Sequence, residues 1–226
     1  MGTTIGIGIR IGSGVSIGPP AVINDGNTVA WFDAQENITK DGSDLVSVWG
    51  DKTGLAHHLL QATGTNQPLW SANGVLFDGI DNFMKCVAFE WNQPEFIYMV
   101  ARQVTWTGGD SLFDGNGVGG GMFQQTVLSP AVRLYAGSYS TSNSNWTLNT
   151  FMILRLLFNG LNSSIQVNNT PAIVSDAGGN NMAGSTLGAR ADAGNPGNLE
   201  VKEIIGRTSA LGEAEIYAYL AAKYSI

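Results

Sequence analysis

Two pairs of closely spaced carboxylates are the side chains of this sequence best suited to acid–base chemistry. Asp78 and Asp81 lie in a Phe-Asp-Gly-Ile-Asp stretch, and Glu213 and Glu215 lie near the start of a predicted helix. Retaining glycoside hydrolysis needs two carboxyl groups about 5–5.5 Å apart. A turn that ends a strand explains the first pair more simply than calcium or sugar binding does. Favourable electrostatics at a helix start explains the second pair, so neither pair predicts catalysis.

Metal, thiol and nucleotide chemistry have little support in the sequence. His57 and His58 are adjacent, so on a strand their side chains would face opposite ways and could not share a metal. Cys86 is the only cysteine, and we expect a small buried apolar residue rather than a reactive thiol. The glycine run at 117–121 lacks the Lys-Ser/Thr of a phosphate loop. A zinc site and a nucleotide site are both disfavoured.

Calcium is the one cofactor that the sequence leaves open. Hard cations need six to eight oxygen ligands, and four carboxylates in predicted loops could supply some of them: Asp110, Asp114, Asp176 and Asp192. Nothing in their spacing brings them together, and solvated loop acids explain them more simply. We predict no cofactor, with calcium as the alternative.

Three aromatic residues stand among polar turn residues, where a flat ring could stack on the C–H face of a sugar: Trp106, Tyr139 and Trp146. The alternative for Trp106 and Trp146 is a partly buried ring that closes a loop. Trp31 and Trp49 lie in strand-like contexts and are expected in the core. The three loop aromatics are therefore the candidate sugar-stacking residues.

The N-terminal segment repeats with a period of two residues. Glycine occupies most even positions, and apolar residues occupy odd ones: Ile5, Ile7, Ile9, Ile11, Val15 and Ile17. In an extended strand these apolar side chains share one face. Because a glycine-rich chain is costly to order alone, we predict an arm at 1–20 that orders by adding a strand to a partner or a sister subunit. A homo-oligomer is therefore expected.

The remainder, 21–226, is predicted to be one all-β domain. The chain has 226 residues, of which 30 are glycine and only 13% are charged. About a dozen short strands between Asp-Gly and Asn-Gly turns indicate a two-sheet antiparallel jelly-roll sandwich. One helix is predicted at 209–224 with Ser209 as its N-cap. The stretches 136–149 and 176–198 are predicted to be long surface loops. The predicted strands are 28–32, 46–49, 58–61, 74–77, 83–89, 95–103, 111–114, 122–128, 131–136, 150–158, 164–167, 185–187 and 199–205.

Charge and hydropathy exclude several classes of partner. The net charge is −7 and no cluster of Lys or Arg occurs, so nucleic acid and anionic membranes are not expected partners. No apolar run reaches the 18 residues of a membrane span. The first residues lack the features of a signal peptide, so we expect synthesis in a cytoplasm.

Several segments of the domain together resemble a known superfamily. They are Val-Ala-Trp-Phe-Asp-Ala at 29–34, Ser-Val-Trp-Gly-Asp-Lys-Thr-Gly at 47–54, His-Leu-Leu-Gln at 58–61, Gln-Pro at 67–68, Gly-Val-Leu-Phe-Asp-Gly-Ile-Asp at 74–81, Leu-Gly-Ala-Arg at 187–190, Glu-Ile-Ile at 203–205 and the closing stretch at 213–226. In order and spacing they resemble the concanavalin A-like lectin/glucanase superfamily, in particular its laminin-G-like jelly rolls. The resemblance implies two curved antiparallel sheets and a short C-terminal helix. The Glu-x-Asp-x-x-Glu string of the glucanases is missing here, so we predict that the chain is not an enzyme.

The N-terminal pattern looks like that of some tailed-phage structural proteins. Together with the jelly roll, it favours a non-enzymatic virion protein, a capsid decoration, fibre or tail adhesin, located on the virion. The alternative is a carbohydrate-binding module that recognises cell-surface or environmental glycans, with the arm serving oligomerisation. A glucanase is the third and least favoured hypothesis.

Overall fold

The computed structural model describes residues 18–226. The division of the chain at residue 20 stays a prediction. The predicted partner-binding residues of the arm lie outside the described residues: Ile5, Ile7, Ile9, Ile11, Val15 and Ile17.

Two antiparallel sheets of eight strands each make up the described part of the chain. In chain order the strands are β1 (Thr28–Asp33), β2 (Ile38–Lys40), β3 (Val46–Trp49), β4 (Leu59–Leu60), β5 (Leu69–Ser71), β6 (Gly74–Asp78), β7 (Met84–Lys85), β8 (Glu95–Gln103), β9 (Ser111–Asp114), β10 (Met122–Gln125), β11 (Val132–Tyr135), β12 (Met152–Phe158), β13 (Ser164–Val167), β14 (Ile173–Val174), β15 (Thr186–Leu187) and β16 (Asn198–Arg207). The first sheet has the order β14-β13-β12-β8-β16-β6-β5, with β1 also paired to β16. The second has the order β11-β10-β9-β15-β7-β4-β3-β2.

The two sheets enclose the main core, as strand β8 illustrates. Successive side chains of a strand point to opposite faces, and Ile97, Met99 and Ala101 belong to the core between the sheets. Tyr98 and Val100 belong to a second apolar cluster on the outer face of the first sheet. Strand β8 is therefore buried on both faces, and the outer cluster needs a cover.

Helix α1 (Glu213–Tyr224), the one α-helix among residues 18–226, supplies that cover. Ile216, Tyr219 and Leu220 are its buried residues and pack in the outer cluster. The N-cap lies three residues later than predicted. It is Gly212, with φ +74°, whereas the predicted cap Ser209 accepts a hydrogen bond from the amide of Leu211. Gly212 adopts a left-handed backbone conformation, which residues with a Cβ rarely adopt. The helix therefore begins only at Glu213.

Strand β16 occupies the centre of the first sheet. It pairs with β8 along one side. On its other side it pairs first with β6 and then, beyond an irregularity between Val201 and Glu203, with β1. The strand thus joins the beginning of the described chain to its middle.

The predicted all-β sandwich with one C-terminal helix is confirmed. Three short edge-proximal strands, β2, β5 and β14, were not predicted. The stretches predicted as surface loops are partly buried, since Ala177 and Met182 are inaccessible to solvent. Cys86 is a buried free cysteine, as expected. Within residues 18–226, no helix is long and apolar enough to span a membrane.

Candidate functional site

The outer face of the second sheet carries a polar and aromatic surface formed by strands β10 and β11. Their antiparallel register sets Gln124 opposite Arg133 and Met122 opposite Tyr135. The alternate residues Phe123 and Leu134 point into the core. Gln124, Arg133 and Tyr135 therefore share the face that points away from the core.

Arg133 is the centre of this surface. Its Nε and Nη2 donate to Oε1 of Gln124 at 3.2 and 2.9 Å, and Gln124 is itself buried. The guanidinium carbon lies 3.6 Å from the ring centroid of Tyr139. The ring of Tyr135 lies 4.7 Å from that of Tyr139 and is tilted by 50°. We name these four residues, Gln124, Arg133, Tyr135 and Tyr139, the tyrosine–arginine surface.

Glycine backbone on neighbouring loops allows this arrangement. Gly119 has φ +69°, and a Cβ there would lie 2.7 Å from the Tyr135 ring. The carbonyl of Gly109 accepts hydrogen bonds from Gln124 Nε2 at 2.7 Å and Asn195 Nδ2 at 3.0 Å. These contacts join the loops before β9, before β10 and after β15 around the surface.

Arg190 and Asp192 form an exposed ion pair on the last of these loops, with Nη2 and Oδ2 2.7 Å apart. The hydrogen bond that Arg190 donates to Asp192 raises the pKa of Arg190, and Asp114 and Tyr139 contribute to the same shift. Arg133, by contrast, forms no ion pair with any carboxylate of residues 18–226. No carboxylate of the described residues therefore neutralises its charge.

Of the three aromatics predicted to stack on sugars, the structure places Tyr139 at the surface, with 52% of it exposed. Trp106 is half-buried and packs against the main core. Trp146 is fully buried and stacks on Phe123 with a centroid distance of 5.8 Å. The expectation for Trp146 is corrected: its polar neighbours in sequence belong to a loop that folds inward, so the ring fills the core.

Each of the four candidate calcium ligands has contacts within the protein. Asp114 is buried; its Oδ2 accepts from the amides of Gly119 and Ala191, and burial raises its pKa. Asp192 is paired with Arg190, and Asp176 accepts from the amide of Gly178. The pKa of Asp110 is raised by burial. Across residues 18–226, Asp, Glu, His and Cys side chains form no group of three or more suited to a metal ion.

The carboxylate pair Asp78 and Asp81 forms a turn. Asp78 Oδ1 accepts from the amide of Ile80 at 2.9 Å and from those of Asp81 and Asn82 at 3.4 Å. This is the strand-ending turn that the sequence predicted.

Neither a protein-family model nor a curated protein sequence matches the chain. Solved structures do share its fold. A Trypanosoma rangeli sialidase in complex with sialic acid matches with a TM-score of 0.59 at 15% identity, covering 87% of this chain and 33% of the sialidase. An arabinofuranosidase complexed with arabinofuranosyl-alpha-1,2-xylobiose matches with a TM-score of 0.58 at 14% identity, covering 79% of this chain and 51% of that enzyme. The chain thus spans about a third and about half of these two proteins.

These neighbours correct one prediction from the sequence. The chain was expected not to be an enzyme, but the similar structures are glycoside hydrolases, a sialidase and an arabinofuranosidase. The missing Glu-x-Asp-x-x-Glu string excludes only one catalytic pattern of one superfamily. None of these findings supports a virion origin, which was predicted from the N-terminal sequence pattern together with the jelly-roll resemblance.

Sequence reasoning missed Gln124, Arg133 and Tyr135. The signal was present in the alternation of Val-Arg-Leu-Tyr at 132–135, which places Arg133 and Tyr135 on one face of a strand. The pairing of Arg133 with Gln124 requires the register of two strands, which the sequence does not specify.

Proposed function

We propose that this chain is a glycan-binding β-sandwich domain and that the glycan lies on the tyrosine–arginine surface. The observation that carries the proposal is the guanidinium of Arg133, held 3.6 Å over the ring of Tyr139. It has no carboxylate partner among the described residues. An oriented cation beside one exposed and one half-buried aromatic ring, on a sheet face, suits a ligand with both hydroxyl groups and C–H faces.

Each group has a defined task in this proposal. The rings of Tyr139 and Tyr135 offer apolar faces to the C–H groups of a sugar. The guanidinium, whose orientation Gln124 fixes through two hydrogen bonds, donates to sugar oxygens. Because the surface is an open sheet face rather than a closed cleft, it accommodates a stretch of glycan chain.

The fold supports the same class of ligand. One similar structure contains sialic acid, and another was soaked with 4-nitrophenyl a-l-arabinofuranoside. At 13–15% identity these likenesses concern the fold, so the identity of the glycan has to come from binding measurements.

A glycan array followed by calorimetry tests the proposal. We expect binding to at least one glycan and a loss of about tenfold or more in affinity for Tyr139→Ala and for Arg133→Met. Val127→Ala is the matched control, because Val127 is 88% exposed and lies on another loop. Silence of the wild-type protein across a broad array, or undiminished binding by both variants, would contradict the proposal.

Glycoside hydrolysis is the second candidate function, favoured by the enzymes that share the fold. Incubation of the purified protein with 4-nitrophenyl a-l-arabinofuranoside and a 4-nitrophenyl sialoside tests it by the release of 4-nitrophenol. Turnover that Tyr139→Ala reduces would place hydrolysis at the tyrosine–arginine surface. Turnover unaffected by that variant would place it elsewhere.

We also propose that 1–20 attaches the domain to a sister subunit or another protein by strand addition. The alternation of isoleucine and glycine in the sequence supports this, and a virion assembly is one such setting. Deletion of residues 2–18 should leave a folded domain. Light scattering should then show an assembly with fewer subunits than that of the full chain. An unchanged oligomeric state and unchanged assembly would defeat the attachment role.

A further inference from the structure

The guanidinium of Arg133 has one edge without a hydrogen-bond partner among the described residues. Its Nε and Nη2 donate to Oε1 of Gln124 at 3.2 and 2.9 Å, which uses the opposite edge of this planar group. The remaining edge presents Nη1 together with the second N–H of Nη2. Arg133 is half-buried, yet Nη1 is not among the buried polar atoms that lack a partner, so it meets solvent. Two parallel donors are thus open to a ligand.

The contacts of Arg133 fix the direction of this open edge. Gln124 is buried, and its own Nε2 donates to the carbonyl of Gly109 at 2.7 Å. The ring of Tyr139 lies against one face of the guanidinium, with 3.6 Å between the ring centroid and the guanidinium carbon. A ligand therefore meets donors whose orientation is set before binding, which lowers the entropic cost of binding.

The charge of Arg133 is not paired with a carboxylate of this chain. It forms no ion pair within the described residues, and residues 1–17 contain neither Asp nor Glu. On the neighbouring loop, Asp192 accepts from Nε and Nη2 of Arg190 at 3.1 and 2.7 Å. Asp114 is buried and accepts from backbone amides. Both of these acidic side chains are thus engaged by donors of the protein.

We propose that the glycan on this surface is acidic and that its carboxylate accepts two hydrogen bonds from Nη1 and Nη2 of Arg133. This inference rests on the proposed function and names the class of sugar, a sialic acid or a uronic acid. The edge of a guanidinium matches a carboxylate in both spacing and charge, whereas a neutral sugar leaves the cation without a counter-ion. The rings of Tyr139 and Tyr135 adjoin the guanidinium and contact the sugar ring.

Calorimetry of the full chain with matched glycans tests the inference. The probes are sialyllactose and tetragalacturonate, each compared with the same oligosaccharide after reduction of its carboxylates to CH₂OH. We expect one acidic glycan to bind at least about tenfold more tightly than its reduced form, because charge-assisted bidentate hydrogen bonds are stronger than neutral ones. The preference should shrink at high salt, which screens exposed charges. The pair that shows it distinguishes a sialic acid from a uronic acid.

Variants of Arg133 assign the preference to its open edge. Arg133→Gln should abolish the preference, because it keeps a polar side chain but removes the cation. Arg133→Lys keeps the charge without the planar pair of donors and should retain only part of the preference. The control Lys40→Gln removes one positive charge from an exposed pair with Asp44 on another strand, so the preference should persist. Thermal unfolding checks that all three variants fold.

Two results would overturn this inference and leave the proposed function standing. One is equal affinity of the wild type for an acidic glycan and its reduced form, with both affinities lowered in Tyr139→Ala. The other is a preference for the acidic glycan that Arg133→Gln retains. Absence of binding to any glycan would contradict the proposed function itself, and this inference with it.

Discussion

Glu203 and Lys223 form an ion pair, with 2.7 Å between Oε2 and Nζ, that fastens helix α1 to strand β16. Lys223 Nζ also lies 2.6 Å from Oδ2 of Asp33, the residue opposite Glu203 on β1. The hydroxyl of Tyr224 donates to Glu203 Oε2 at 2.7 Å. Burial alone would raise the pKa of Asp33, but Lys223 and other partners hold it below its usual value.

Removal of Lys223 should therefore destabilise the protein strongly. Lys223→Met leaves two buried carboxylates, Asp33 and Glu203, without their shared cation, and the expected loss is about 3–5 kcal/mol in free energy of unfolding. Urea denaturation measures it. The control Lys40→Met breaks an exposed pair with Asp44 and should cost at most about 1 kcal/mol. Equal losses in the two variants would show that the buried network is not what holds the helix.

Glu95 should make stability fall as the pH rises. Its Oε1 accepts from the amide of Met182 at 2.7 Å, its Oε2 is buried without a partner, and burial raises the pKa to about 8 from 4.5. The unfolded chain releases this proton at lower pH than the folded protein does. The contribution of Glu95 to the free energy of unfolding is thus fully present below pH 4.5. It is lost as the pH rises towards 8, by up to about 1.4 kcal/mol per pH unit.

Glu95→Gln keeps the acceptor and removes the titration. Urea denaturation from pH 5 to pH 8 should show a flatter profile for the variant than for the wild type, with the variant the more stable of the two at pH 8. Parallel profiles would mean that Glu95 is ionised in the folded protein.

Trp146 should affect stability rather than ligand binding. It is fully buried against Phe123, so Trp146→Ala should cost about 3–5 kcal/mol. The same change at Tyr139, a half-exposed residue, should cost below about 1 kcal/mol. Thermal unfolding compares the two. A Trp146→Ala protein of normal stability that no longer binds glycan would restore Trp146 as a ligand contact.

Gly212 should be irreplaceable where the chain enters α1. At φ +74° a Cβ would overlap the side chain of Val22, so Gly212→Ala combines strain with a clash and should lose more than about 2 kcal/mol. Gly26, at φ +84° with nothing within 4 Å, isolates the strain, and Gly26→Ala should cost about 1 kcal/mol. Calorimetric melting of both variants checks the difference.

The sequence predicts the fold well where hydrophobic pattern decides it. Strand β8 matches its predicted bounds, because its apolar run is long and buried on both faces. Strands β2, β5 and β14 are only two or three residues long, and sheet pairing rather than their own pattern creates them. The start of α1 depends on the contact of Gly212 with Val22, which lies far away in sequence.

The candidate sites are less predictable for a related reason. Tyr139 is identifiable from its polar neighbours, but the same argument chooses Trp146, which the loop turns inward. Arg133 acquires its role from Gln124, its partner on the neighbouring strand. Only the register of the sheet brings these two residues together.

The central place of β16 has a consequence for how the protein is made. Strands β8, β6 and β1 each pair with β16, which is synthesised after all three of them. Until that segment leaves the ribosome, three strands have unpaired edges, and such edges favour aggregation. Nascent chains stalled before β16 should therefore depend on chaperones, whereas released chains should close the first sheet unaided.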